Sequence, residues 1–306
     1  MKHNINVLID MMTYCRGHLS VGEEEFIAKY LKPIPGITED AEGNYHLTVG
    51  KNPTTLFSCH TDTVHRTPNI RQKVHTNILK TTAFKKDDMP LGADDAVGIW
   101  IMLNLIADNV PGLYIFHRGE ERGGIGSSFI ADNTPQVLEG IKRAIAFDRK
   151  GTTDVITHQG WGRCCSDVFA DTLAAKLGMD YRADDTGVFT DTANYTHLIP
   201  ECTNLSAGYV HEHTSKETQD LTHAVKLCKA ALALNWGSLP TVRKPEDDTK
   251  DIDGYPYYIG DVPRKGSIAD LILDYPEEIA DLLEQGGYDY DGLRDYITDL
   301  YGFKAA

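Results

Sequence analysis

The chain has 306 residues, of which 41% are hydrophobic and 25% charged, values that suit a soluble globular protein of one large α/β domain or two small ones. A formal charge of −15 argues against a nucleic-acid partner, which needs clustered Lys and Arg, and no apolar run approaches the roughly 18 residues of a membrane span. Six cysteines without CxxC spacing argue against a four-thiolate zinc and read as free thiols; the N-terminus lacks the layout of a secretory signal, so the expected location is cytoplasmic.

Residues 5–15 have helical apolar spacing, and Ser20 and Glu23 are spaced as a capping box for a helix that runs to about Leu31. The stretches NYHLTVG and TTLFSC read as strands around the turn residues Gly50 to Pro53. In LGADDAVGIWIMLNLIADN the period turns helical after Asp95, with Val97, Ile101, Leu105 and Ile106 on one face. GLYIFH is a short strand, GGIGSSFIADN opens a helix, and IKRAIAFD is a strand ending on Asp148. SDVFADTLAAKLG is a helix capped by Ser166 and stopped by Gly178. CTNLSAGY is strand-like, and a long amphipathic helix is expected from about Lys216 to Trp236. Strands alternating with helices predict a mostly parallel sheet covered on both faces.

The composition changes near residue 240. A polar stretch with two prolines, 240–254, reads as a linker after a main domain at 1–239, and 255–306 reads as a small acidic helical appendage. From Thr241 onward there are 16 acidic residues against 7 basic ones, so the last fifth of the chain carries more than half of the charge deficit.

The polar residues that strand and helix patterns do not explain fall in a definite order. His60 and Asp62 end one expected strand, Asp94 and Asp95 precede a helix, Glu120 and Glu121 follow GLYIFH, Asp148 ends the next strand, and His213 follows the one that finishes near Tyr209. Taken singly, each has a plain reading as a cap, a surface pair or a loop histidine. Together they sit at successive strand ends, and a parallel sheet gathers those ends along the edge where such folds place ligands. Several carboxylates and two histidines crowded there would repel one another unless cations compensate them. Imidazole with carboxylate suits zinc, and also manganese or cobalt. Two ions about 3.5 to 4 Å apart, sharing one carboxylate, would use five ligands and leave one of the Glu120–Glu121 pair free to take a proton from water.

The ordered set HTD, GADDAVG, GEERGGIGS, FDRKG and EHTSKE, over roughly residues 20–236, resembles the co-catalytic dinuclear zinc exopeptidases. These are the double-zinc aminopeptidases, with peptidase T and the glutamate carboxypeptidases as relatives. GEERGGIGS is similar to the aminopeptidase branch, HTDTV and HTSKE to the peptidase T branch. The resemblance implies His60 and Asp148 on the first of two metal ions, Glu121 and His213 on the second, and Asp94 bridging them. It also implies a cis bond between Asp94 and Asp95, Asp62 fixing the tautomer of His60, Glu120 as general base, and Asp191 as a substrate-pocket aspartate. His211 competes with His213, but the Thr-Ser-Lys-Glu after His213 favours the latter. His65, His117, His158 and His197 lack motif support and read as structural or surface residues.

The fold so implied is a three-layer α/β/α with a mostly parallel mixed central sheet. The interval between Asp148 and His213 is too short for the lid or dimerisation domain of the peptidase T kind, so no inserted lid is expected. The implied function is a dinuclear metal-dependent exopeptidase, first an aminopeptidase, in which metal-bound hydroxide attacks a peptide bond with Glu120 as base. The alternatives are an N-acyl amino acid deacylase on the same site and a non-catalytic scaffold. The expected partner is a peptide or N-acyl amino acid, without nucleic acid or membrane, and homo-oligomerisation is left open.

Overall fold

A computed structural model describes residues 4–159 and 162–248. Its helices are α1 (Ile5–Met11), α2 (Val21–Tyr30), α3 (Ala93–Ala107), α4 (Ile125–Asn133), α5 (Asp167–Leu177) and α6 (Leu221–Ala233), with a last turn at Pro245–Asp248. The strands are β1 (Thr38–Glu39), β2 (Tyr45–Val49), β3 (Thr55–His60), β4 (His75–Thr76), β5 (Thr82–Phe84), β6 (Gly112–His117) and β7 (Arg143–Arg149). They continue as β8 (Asp154–Ile156), β9 (His158–Gln159), β10 (Gly162–Arg163), β11 (Arg182–Asp184), β12 (Glu201–Ser206), β13 (Tyr209–Val210) and β14 (Thr218–Asp220). The acidic segment expected at 255–306 lies outside the described residues.

Eight strands form one sheet in the order β1-β2-β6-β3-β7-β12-β8-β11. The central strands β6, β3, β7 and β12 are parallel, whereas β2 runs antiparallel to β6. Each central strand is buried along its whole length, or nearly so, and alternate side chains feed opposite cores. On β6, Tyr114 and Phe116 enter the larger core with residues of α1, α2, α3, α5 and α6; Leu113 and Ile115 enter the other, with Ile130 of α4, Tyr195 and Ile199. The result is the expected three-layer α/β/α arrangement.

The strands β2 and β3, on either side of a turn, are separated in the sheet by β6. Two expectations are corrected by contacts distant in sequence. Helix α3 buries Val97, Ile99, Trp100, Ile101, Met102 and Leu105, far more than one face, since it is sandwiched between the sheet and the helices α1 and α6. Helix α6 starts at Leu221, not Lys216: residues 218–220 pair with β5 in a second sheet, β13-β14-β5-β4, and the Asp220 side chain accepts the N–H groups of Thr222 and His223.

Between Asp148 and His213 the described residues form strands β8 to β13, helix α5 and a short turn, Asp191–Tyr195, with no separate lid. All six cysteines are free and buried. Among the described residues no helix is long and apolar enough to cross a membrane. Asp220→Ala removes the acceptor for two N–H groups of α6 and should lower the unfolding free energy by about 1 to 2 kcal/mol, read as an earlier urea midpoint at unchanged slope.

Candidate metal centre

The parallel strands deliver the expected residues to one edge. His60 is the last residue of β3, Asp148 the penultimate residue of β7, and Glu120 and Glu121 lie in a tight turn just after β6. Asp94 sits at the mouth of α3 in non-helical backbone, after Gly92 in a left-handed conformation, and its bond to Asp95 is cis. His213 follows β13, also with positive φ, on the half-exposed rim.

The side chains converge. The Asp94 Oδ1 atom stands 3.0 Å from His60 Nε2 and its Oδ2 atom 3.2 Å from His213 Nε2, so one carboxylate faces both imidazoles with different oxygens. Asp148 Oδ1 lies 3.5 Å from His60 Nε2, and Glu121 Oε2 lies 3.1 Å from His213 Nε2. Three groups of donor atoms each fall within 4.8 Å of one another: His60, Asp94 and Asp148; His60, Glu120 and Glu121; Asp94, Glu121 and His213. His211, His65, His117, His158 and His197 belong to no such group among the described residues.

Asp62 serves the turn more than the imidazole. Its main-chain oxygen is 3.1 Å from His60 Nδ1, whereas its carboxylate stands at 3.6 Å. The carboxylate instead accepts the N–H groups of Gly119 (3.0 Å), Glu120 (3.1 Å) and Glu121 (3.2 Å), which fixes the direction of both glutamates. Asp148 is held by the hydroxyls of Thr190 (2.7 Å) and Tyr209 (3.0 Å). Asp191 is buried, with Oδ2 3.3 Å from Nδ1 of His117, itself buried and hydrogen bonded to the Tyr195 hydroxyl at 2.7 Å.

Without a cation these groups are electrostatically frustrated. Burial pushes the Asp148 carboxyl up to about 7, with Asp94 adding to it, and drives Glu120 well above the usual carboxylate range. Burial also raises Glu121, against the pull of His213. Hydrogen bonds to Asp94 and Glu121 push His213 up to about 11 although burial opposes them. Among the described residues, buried Glu121 Oε1 has no hydrogen-bond partner. An orphaned carboxylate oxygen among imidazole and carboxylate donors is what a divalent cation would satisfy, so the residues fit such an ion.

Three buried charges brace the centre without having been assigned to it from the sequence. Arg16 donates to the main-chain oxygens of Thr61 (2.9 Å) and Gly92 (3.2 Å), which joins the His60 loop to the Asp94 loop. Glu23 was expected to cap α2; it also accepts the Thr61 hydroxyl at 2.6 Å and pairs with Arg118 at 3.3 Å. Glu217 accepts four consecutive N–H groups, Leu91 to Asp94. Only Glu217 left a signal, as the last letter of HTSKE.

No family model matches the chain, and no curated protein matches it in sequence. Solved structures do. An aminopeptidase PepT from Bacillus cereus superposes with a TM-score of 0.59 at 16% identity, covering 75% of this chain and 97% of its own. A tripeptidase from Staphylococcus aureus gives 0.60 at 15% identity, covering 74% and 95%. The TET1 peptidase of Pyrococcus horikoshii gives 0.58 at 16% identity, covering 75% and 98%. The chain therefore has the fold of these peptidases, which is the fold that the sequence resemblance implied.

The acids Glu120, Glu121 and Asp148 and the base His213 are all shifted upward, so each favours the protonated folded state and loses that contribution as pH rises through its folded value. Chelator-treated protein should accordingly melt at a lower temperature at pH 8.5 than at pH 6. Zinc should raise the melting temperature more at pH 8.5, because ligands must be deprotonated to bind. Scanning calorimetry at the two pH values, with and without zinc, checks both signs.

Proposed function

We propose that the chain is a dinuclear metal-dependent exopeptidase, an aminopeptidase in the first instance. The observation that carries this reading is Asp94, whose two oxygens face two imidazoles at 3.0 and 3.2 Å, each with a further carboxylate beside it. His60 and Asp148 would hold one ion, Glu121 and His213 the other, and Asp94 both. The imidazole and carboxylate set favours zinc, with cobalt or manganese as substitutes. Two such ions would supply an activated water and offset the charge that develops on the carbonyl oxygen of the scissile bond.

Of the two glutamates, Glu121 pairs with His213 and belongs to two donor groups, while Glu120 belongs only to the one with His60. Glu120 is therefore the free acid. It takes the proton of the attacking water and returns it to the leaving amine. Asp62 keeps it aimed by holding the N–H groups of the turn. We assign Asp191, as the resemblance implies, to the substrate pocket.

The fold neighbours that are an aminopeptidase and a tripeptidase support peptide substrates and a free amino terminus. The absence of an inserted lid among the described residues supports an open cleft. A TET1 peptidase neighbour can assemble into a tetrahedron or a large octahedral shell, and we extend self-assembly, though not its geometry, to this chain. We also place the protein in the cytoplasm, where its six buried thiols would stay reduced.

Chelation should abolish hydrolysis of aminoacyl p-nitroanilides, and zinc, cobalt or manganese should restore it. Glu120→Gln should keep its metal and lose about 10²- to 10⁴-fold in kcat. An active, metal-loaded Glu120→Gln would refute its role as base. Turnover of N-acyl amino acids in preference to aminoacyl substrates would assign the same centre to a deacylase.

A further inference from the structure

The regular turns of helix α3 begin after the non-helical Asp94 and Asp95, and Asp95 Oδ1 caps them by accepting the Gly98 N–H at 2.9 Å. The four N–H groups ahead of Asp95 find their acceptor in a residue distant in sequence. Glu217 Oε2 accepts from Leu91 (2.8 Å) and Gly92 (2.9 Å), and Oε1 from Ala93 (2.8 Å) and Asp94 (3.1 Å). The side chain is 1% exposed.

Glu217 closes the loop that carries His213. Its N–H donates to Thr214 O at 3.1 Å, the Thr214 hydroxyl donates to His211 O at 2.7 Å, and Lys216 N–H donates to Thr214 Oγ1 at 3.2 Å. One carboxylate thus ties a compact turn bearing His213 to the segment that ends in Asp94. These two residues are donors of the same group, the one completed by Glu121. The donors His60 and Asp148 need no such tie, since β3 and β7 are paired neighbours in the sheet.

We propose that Glu217 is a positioning residue for the second metal site: it sets the distance between Asp94 and His213 and so lets the site of Asp94, Glu121 and His213 bind its ion. The inference rests on the dinuclear reading of the centre. A side chain that merely caps α3 would affect the whole fold and both sites alike. A side chain that spaces two ligand loops would weaken one site selectively.

The test is a cobalt(II) titration of the metal-stripped full chain, followed by calorimetry and visible absorption. His213→Ala identifies the binding step that belongs to the second site. Glu217→Gln, which sets an amide donor against N–H donors, and Glu217→Asp, which withdraws the carboxylate, should each weaken that step about 10- to 100-fold and leave the other close to wild type. Glu23→Gln, an equally buried control that grips the Thr61 loop, should not select the His213 step. Unchanged affinities, or equal weakening of both steps, would overturn the proposal. Failure of both Glu217 variants to fold in saturating cobalt would also overturn it, by making Glu217 a folding element. A wild-type chain that takes up no cobalt would instead overturn the dinuclear reading itself.

Discussion

The structure turns on one carboxylate that faces two imidazoles. For Asp94 to reach both His60 and His213, the chain before α3 must leave helical geometry, pass through a left-handed glycine and enter a buried edge already crowded with acid groups. Like charges at that range cannot all remain ionised in a low-dielectric environment. Divalent cations are the compensation that fits this donor set, and much of the surrounding architecture keeps the donors in place.

That architecture is a chain of buried charges, most of them gripping main-chain atoms of a loop that carries one of the candidate donors. Asp62 grips the turn of Glu120 and Glu121; Arg16 joins the loops of His60 and Asp94; Glu217 joins those of Asp94 and His213; Glu23 braces Thr61 and Arg118. Buried charges of this kind are costly if any partner is missing, and they fix geometry rather than add much net stability. The parallel sheet provides coarse placement by bringing strand ends to one edge, and the clamps provide the fine placement.

The coarse level was legible in the sequence. HTD, DD, EE, D and H fall at strand ends in an order that composition alone does not explain, and short, largely apolar runs make β3, β6 and β7 readable as strands. The fine level was not. Arg16 lies in YCRGH, with no spacing that announces a clamp, and its partners Thr61 and Gly92 are far along the chain. The start of α6 was misplaced for the same reason: Thr218 to Asp220 are extended because β5 pairs with them, a contact that local periodicity cannot reveal. The nearness of Asp62 to His60 is legible in HTD, but the hold of its carboxylate on a turn met only after β6 has been threaded beside β3 is not.

The most direct measurement is metal content per chain, by elemental analysis of the wild type and Asp94→Ala side by side. About two zinc, cobalt or manganese ions per wild-type chain, largely lost in the variant, is the result this account predicts. A wild-type protein that holds no metal and takes none up on titration, or a variant that keeps both ions, would contradict it.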